Sequence, residues 1–232
     1  MSKQTLSPPT LRRDETIVGW SYYAFQMIVL PSLLFSLNGL LKKPAGEAEV
    51  NFTYLLLNFL ATLWIYHRFL GGAFRQAKSH PAELVQGVVL GLAAYWASFY
   101  ILTWAIQLLD PSYVNQNDAS IAGMAQSGYY FMVLGTVIFA PITEECVYRG
   151  LLFRNLWRTG PIVAYLVSMF AFSIVHIISY LGVYTPLQMT LAFLQYLPAG
   201  LCLAWCYVKS GSICGPILMH ALINLYSINQ LR

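Results

Sequence analysis

Charge is what this sequence has least of. Of its 232 residues only 9% are Asp, Glu, Lys or Arg, while 58% are hydrophobic and the mean hydropathy is +0.59. Soluble domains carry about 25% charged residues, so most of this surface cannot face water. No run of five basic residues and no basic patch interleaved with aromatics occurs, so no nucleic acid is expected as a partner. The cysteines, Cys146, Cys202, Cys206 and Cys214, form neither a zinc C-x-x-C pair nor a secreted disulfide framework. Cys202 and Cys206 share a helix face and read as small hydrophobes. Repeats and low-complexity segments are missing, as are H-E-x-x-H and G-x-S-x-G. A β-barrel would alternate in polarity over segments of ~10 residues, and these segments are apolar all round. What remains is an all-α, polytopic transmembrane helix bundle whose first partner is membrane lipid.

The apolar runs place spans at 17–41, 52–70, 84–109, from about Ser127, from about Pro161 to Tyr180, at 187–207, and from about Ile213 to Ile228. That makes about seven spans, within a range of six to eight. Residues 1–16 read as a cytoplasmic tail, 17–126 as N-terminal transmembrane helices and 127–232 as the bundle that carries the chemistry. The first run is too long for a signal peptide and no small-x-small site follows it; a kink is expected at Pro31. Residues 71–82, with Gly71, Gly72, Arg75, Lys78 and Pro81, read as a basic connection, and 110–127 as a loop. An N-terminus in the cytoplasm puts ten of the 13 Lys and Arg on that side, Arg149 among them, and leaves Lys42, Lys43 and Arg232 outside. A short chain with small loops suits a bacterial plasma membrane.

One stretch breaks the scarcity of charge. Pro141-Ile142-Thr143-Glu144-Glu145-Cys146-Val147-Tyr148-Arg149-Gly150 follows the uncharged segment 129–140. A charge at the bilayer centre costs ~2.5–3.5 kcal/mol even on the lenient insertion scale, so three together mark a boundary or a site. The helix is expected to continue through Leu151–Trp157 and to end at Thr159-Gly160-Pro161, Gly closing one helix and Pro opening the next. Glu144 lies sixteen residues before Gly160 and His176 sixteen after it, both ~24 Å of helix from the turn. His220 and Asn224, at i, i+4, share a face of the last helix. His220 is only ~15 Å beyond Ser210, which leaves it shallower unless that helix tilts or starts inside the bilayer.

Each residue also has a plain reading. Glu145 and Arg149, again i, i+4, suit an intrahelical ion pair; His176 suits helix packing; Phe172 is core or wall; Tyr148 is interfacial; His67 and His80 are solvated. Convergence tips the balance, because the histidines and glutamates of the last spans come together from three helices.

Two chemistries fit. A glutamate in an apolar pocket suits a general base for water, with Arg149 holding Glu145 ionised and a histidine or asparagine stabilising an oxyanion or holding the water. Alternatively Glu144, His176 and His220 supply three ligands to zinc with one position open. Ser212 has no histidine placed as its partner, and the carboxylates beside Cys146 disfavour a thiolate.

Glu144-Glu145-x-x-x-Arg149, Phe172-x-x-x-His176 and His220-x-x-x-Asn224 resemble, in order, the three motifs of the CPBP (CAAX protease and bacteriocin-processing, also called Abi) family of intramembrane proteases. The chain is similar there to type II CAAX prenyl endopeptidases. The resemblance covers 144–224 and implies peptide-bond hydrolysis inside a membrane cavity, on a membrane-embedded or lipidated peptide. Glu144 would activate water with help from His176. His220 and Asn224 would stabilise the oxyanion, and Glu145 and Arg149 would support them. Members are described as metalloproteases, which keeps zinc open as a cofactor. A non-catalytic bacteriocin-immunity or binding protein on the same scaffold is the alternative. A proton relay through Glu144 and His176 is a third reading, without the inverted repeat that many transporters carry.

Overall fold

The computed structural model describes residues 8–230. The first seven residues of the expected tail, with Lys3, and the terminal Arg232 lie outside the described residues. Eight helices make up most of the described chain: α1 Arg13–Gly39, α2 Glu47–Ile65, α3 His67–Ser79, α4 Pro81–Leu109, α5 Gln116–Leu156, α6 Pro161–Tyr180, α7 Pro186–Ser210 and α8 Cys214–Gln230. Six of them, all but α3 and α8, are long and apolar enough to cross a membrane. The 17 residues of α8 fall just short of the ~20 that a full span needs. Phe35, Trp64, Ile28 and Ile162 are among many large apolar side chains left on the outside. A soluble monomer rarely tolerates so much exposed apolar surface. The chain is a multi-pass membrane protein.

The first helix starts at Arg13, inside the stretch read as tail, because Glu15 has work to do there. Its carboxylate accepts the Arg12 backbone N–H at 2.8 Å and reaches 54 positions along the chain to the Phe69 N–H at 3.1 Å. Phe69 is the third residue of α3, where helix N–H groups have no partner of their own. Glu15 therefore caps two helices at once.

That contact explains a difference from the sequence reading. The second span ends at Ile65 rather than 70, and residues read as a basic connection form the amphipathic helix α3, Gly71 and Gly72 included. Phe69, Ala73 and Ala77 face inward, so burial overrides the poor helix propensity of glycine.

α5 is 41 residues long, or ~60 Å, about twice the hydrocarbon thickness. It begins at Gln116 with Asn115 as its cap, not near Ser127, and leaves helical geometry at Gly128. Segments Leu134–Phe139 and Cys146–Phe153 are wound as π-helix. The turn at Gly160, with φ 155°, leads into Pro161 as expected.

The interior is built around α7. Gly200 is essential to it: a Cβ there would lie 3.0 Å from the Met169 backbone, so α6 and α7 touch main chain to main chain. One apolar cluster, with Tyr66, Phe69, Cys146, Phe153, Tyr207 and Ile213, closes the end of the bundle where α1 begins. A second, with Ile106, Tyr113, Ile177 and Leu191, supports the opposite end.

Candidate active site

Arg149 anchors the site and is fully buried, so it leaves the count of cytoplasmic surface charges. A buried guanidinium has to find partners. Nη1 donates to Glu145 Oε1 at 3.0 Å and Nη2 to the Gly200 carbonyl at 3.1 Å. The cation also lies 4.6 Å over the Phe172 ring, a cation–π contact. Tyr148, expected at an interface, is buried too; its ring packs edge-on against Phe172 at 5.5 Å.

Glu145 is likewise fully buried. The oxygen that takes Arg149 also accepts from His220 Nδ1 at 2.9 Å. Glu145 thus holds one imidazole in place and does not line the cavity. Since Nδ1 donates its proton to the carboxylate, His220 presents Nε2 on its other side, 4.0 Å from Glu144 Oε2. His176 is arranged in the same way. Its Nδ1 donates to the Phe172 carbonyl at 2.7 Å, and its Nε2 lies 3.8 Å from Glu144 Oε2. A fixed bond at one ring nitrogen sets the role of the other. Glu144 Oε2, between the two, is a buried oxygen with no hydrogen-bond partner in the protein.

The sequence left His220 too shallow, and the turn before α8 removes the discrepancy. Ser210 and Ser212 are completely buried, with Gly211 in the left-handed conformation at φ 67°. Ser212 Oγ donates to the Ala73 carbonyl of α3 at 2.8 Å. The turn is tucked beneath α3, so α8 starts inside the bundle and His220 reaches the depth of Glu144.

Asn224 lines the same cavity, and its amide nitrogen donates to the Thr136 carbonyl at 2.8 Å. That carbonyl is free for a covalent reason. In the π-helical winding the Ala140 N–H bonds to Gly135, and the next rung would need the N–H of Pro141, which proline lacks. Asn224 fills the vacated place and is fixed by it.

Several contributors escaped the sequence reading. Tyr196 stacks on His176 with ring centroids 4.6 Å apart. Its hydroxyl belongs to a network with Asn115, whose amide also reaches Gln195 Oε1 at 3.0 Å. Tyr113 donates to the same Gln195 oxygen at 2.8 Å. An isolated glutamine within the apolar run of α7 was the one available signal. His67 is exposed, as expected.

Asn115, Gln195 and Tyr196 border a cavity of about 1000 Å³. Glu144, His176, His220 and Asn224 lie on one part of its wall, with Phe172 beside them. Zinc bonds of about 2.0–2.1 Å would set tetrahedral ligands roughly 3.3 Å apart. The gaps to Glu144 are 3.8 and 4.0 Å. No group of three or more His, Cys, Asp or Glu among the described residues is gathered so as to hold an ion. As placed, the three donors do not fit zinc.

Residues 126–226 match the family model of the Rce1-like type II CAAX prenyl endopeptidases. The matched stretch runs from just before Gly128 to just beyond Asn224 and so takes in every residue of the site on α5, α6 and α8. No curated protein and no solved structure matches the chain.

Proposed function

We propose that the Rce1-like domain at residues 126–226 makes this membrane protein an intramembrane endopeptidase working through a glutamate-activated water. The observation that carries the proposal is Glu144 Oε2, buried without a protein partner between two imidazole nitrogens at 3.8 and 4.0 Å. Gaps of that size suit a water molecule that makes hydrogen bonds of about 2.8 Å to each.

Glu144 takes one proton from this water, and the hydroxide attacks the peptide carbonyl carbon. His176 Nε2 accepts the water's other hydrogen as a hydrogen bond and aims the oxygen. The carbonyl π electrons move to oxygen, giving a tetrahedral oxyanion. The free N–H of the Asn224 amide stabilises it, and His220, held through Nδ1 by Glu145, would add an Nε2–H in its doubly protonated form. Collapse of the intermediate breaks the C–N bond, and Glu144 returns its proton to the departing amine. Glu145 and Arg149 lie outside the cavity lining and are positioning residues, and Phe172 is part of the wall. The substrate class is a membrane-embedded or lipidated peptide, which suits a cavity walled by both apolar and polar side chains.

Cleavage of a reporter peptide by protein purified in detergent tests the proposal. Glu144→Gln and His176→Ala should each reduce cleavage by about 10²–10⁴-fold, the range of general acid–base catalysis, while insertion is unchanged. Turnover by Glu144→Gln at the unmutated rate would end this reading. Metal content and activity after chelation, measured on the same preparation, separate the two chemistries. Activity should survive chelation within twofold, and a stoichiometric metal whose removal stops cleavage would replace the glutamate mechanism.

A further inference from the structure

The two ends of the bundle differ in charge and in access. Arg12, Arg13, Arg68, Arg75, Lys78, Arg154, Arg158 and Lys209 flank the end where α1 begins, whereas among the described residues only Lys42 and Lys43 lie at the other. The cavity does not reach the basic end. It is closed off there by the Tyr66, Phe69, Cys146 and Tyr207 cluster and by the buried Arg149–Glu145 pair. Its floor lies at mid-depth, at Glu144, Phe172, Leu203, His220 and Tyr95 and Phe99 of α4, and its remaining walls come from the second half of α1, the first halves of α2, α5 and α7, and the later turns of α6 and α8. From that floor the walls run to the end opposite the basic one, where Asn38, Glu47, Asn117 and Tyr180 line them. Positive residues in short loops stay in the cytoplasm, so the mouth belongs on the other side of the membrane.

The lining carries a charge signature as well. Among the described residues no Lys or Arg lines the cavity, whereas Glu47 and Asp118 do, along with the amides of Asn38, Asn51, Asn117 and Gln195. Among the described residues neither Glu47 nor Asp118 has an ion-pair partner. Lys42 and Lys43 are exposed in the α1–α2 connection, outside the lining. Carboxylates in a cleft with low-dielectric walls focus their field into it.

We infer that the site is loaded from the non-cytoplasmic face and selects peptide segments that are cationic or neutral around the scissile bond. It rejects those that bring a carboxylate there, a free C-terminus next to the bond included. The inference rests on the peptidase reading for the word scissile, but sidedness and charge preference are measured without catalysis.

Sidedness is read with Ser120→Cys, at an exposed position in the cavity wall, and Ser79→Cys, at the basic end, each in a chain carrying Cys214→Ser. In spheroplasts, a membrane-impermeant maleimide should label Ser120→Cys while the cells are intact and Ser79→Cys only after lysis. The reverse pattern overturns the inference. Charge preference is read with the Glu144→Gln protein in nanodiscs, using two fluorescent amidated leucine-rich peptides that differ in carrying a lysine pair or a glutamate pair. At low salt the lysine peptide should bind about tenfold tighter, and Asp118→Asn should cut that ratio about threefold. Equal or tighter binding of the glutamate peptide overturns the inference. Failure of the unmutated protein to cleave, with both of these results as expected, would sink the peptidase reading alone.

Discussion

Glu144 and Glu145 are neighbours in the chain and belong to opposite halves of the molecule. On the sealed side, Glu145 is enclosed with Arg149, His220 and the Gly200 carbonyl, at 0% exposure. On the cavity side, Glu144 has a side chain 28% exposed and an Oε2 that nothing in the protein satisfies. Glu145 Oε2 is also without a hydrogen-bond partner, so what separates the two carboxylates is access: Glu144 borders the cavity and Glu145 does not. In the proposed mechanism the enclosed glutamate therefore does the holding, and the one that a substrate can reach does the reacting.

The sharpest way to break this contrast is Arg149→Leu. It strands Glu145 in the sealed half and should cost about 3–5 kcal/mol, seen as a lower melting temperature and folded yield in detergent. Adding Glu145→Leu should restore most of that stability, since a buried pair replaced by apolar side chains is close to neutral. Activity should stay lost in the double variant, because His220 then lacks the carboxylate that fixes its ring. Recovery of activity would show that the pair does not position His220.

On the cavity side, Asn224→Ala should lower kcat about 10²-fold with little change in KM, as for loss of an oxyanion donor. A rise in KM alone would move Asn224 from the oxyanion to substrate binding. The smallest effect is expected furthest from the cavity. Ser212→Ala removes the Oγ that donates to the Ala73 carbonyl and accepts the Cys214 N–H and should cost about 1–2 kcal/mol, with kcat unchanged if the turn holds its place.

Legibility followed the reach of each interaction. The equal depth of Glu144 and His176 could be counted from Gly160, because one short turn joins two adjacent antiparallel helices. Lys and Arg in the loops gave a frame for the ends of the bundle. The i, i+4 spacing joined Glu145 to Arg149, but counting the arginine as a surface charge overlooked that burial demands partners on every side. His220 could not be placed by counting, since its depth depends on a turn beneath α3, and α3 depends on Glu15 at the start of α1. Asn224 was visible as a polar residue on the face of His220. Its partner was not, because the Thr136 carbonyl is freed by a π-helical winding that no local pattern announces.

By itself the sequence determined a membrane bundle, its apolar segments and the residue types at the centre, because composition and helical spacing act within a turn or two. Only the tertiary structure decided which glutamate is bound and which is open, and from which end the cavity is reached. Those outcomes depend on contacts between residues far apart in the chain, Gly200 with Arg149 and Ser212 with Ala73, and such contacts exist only once the helices have packed.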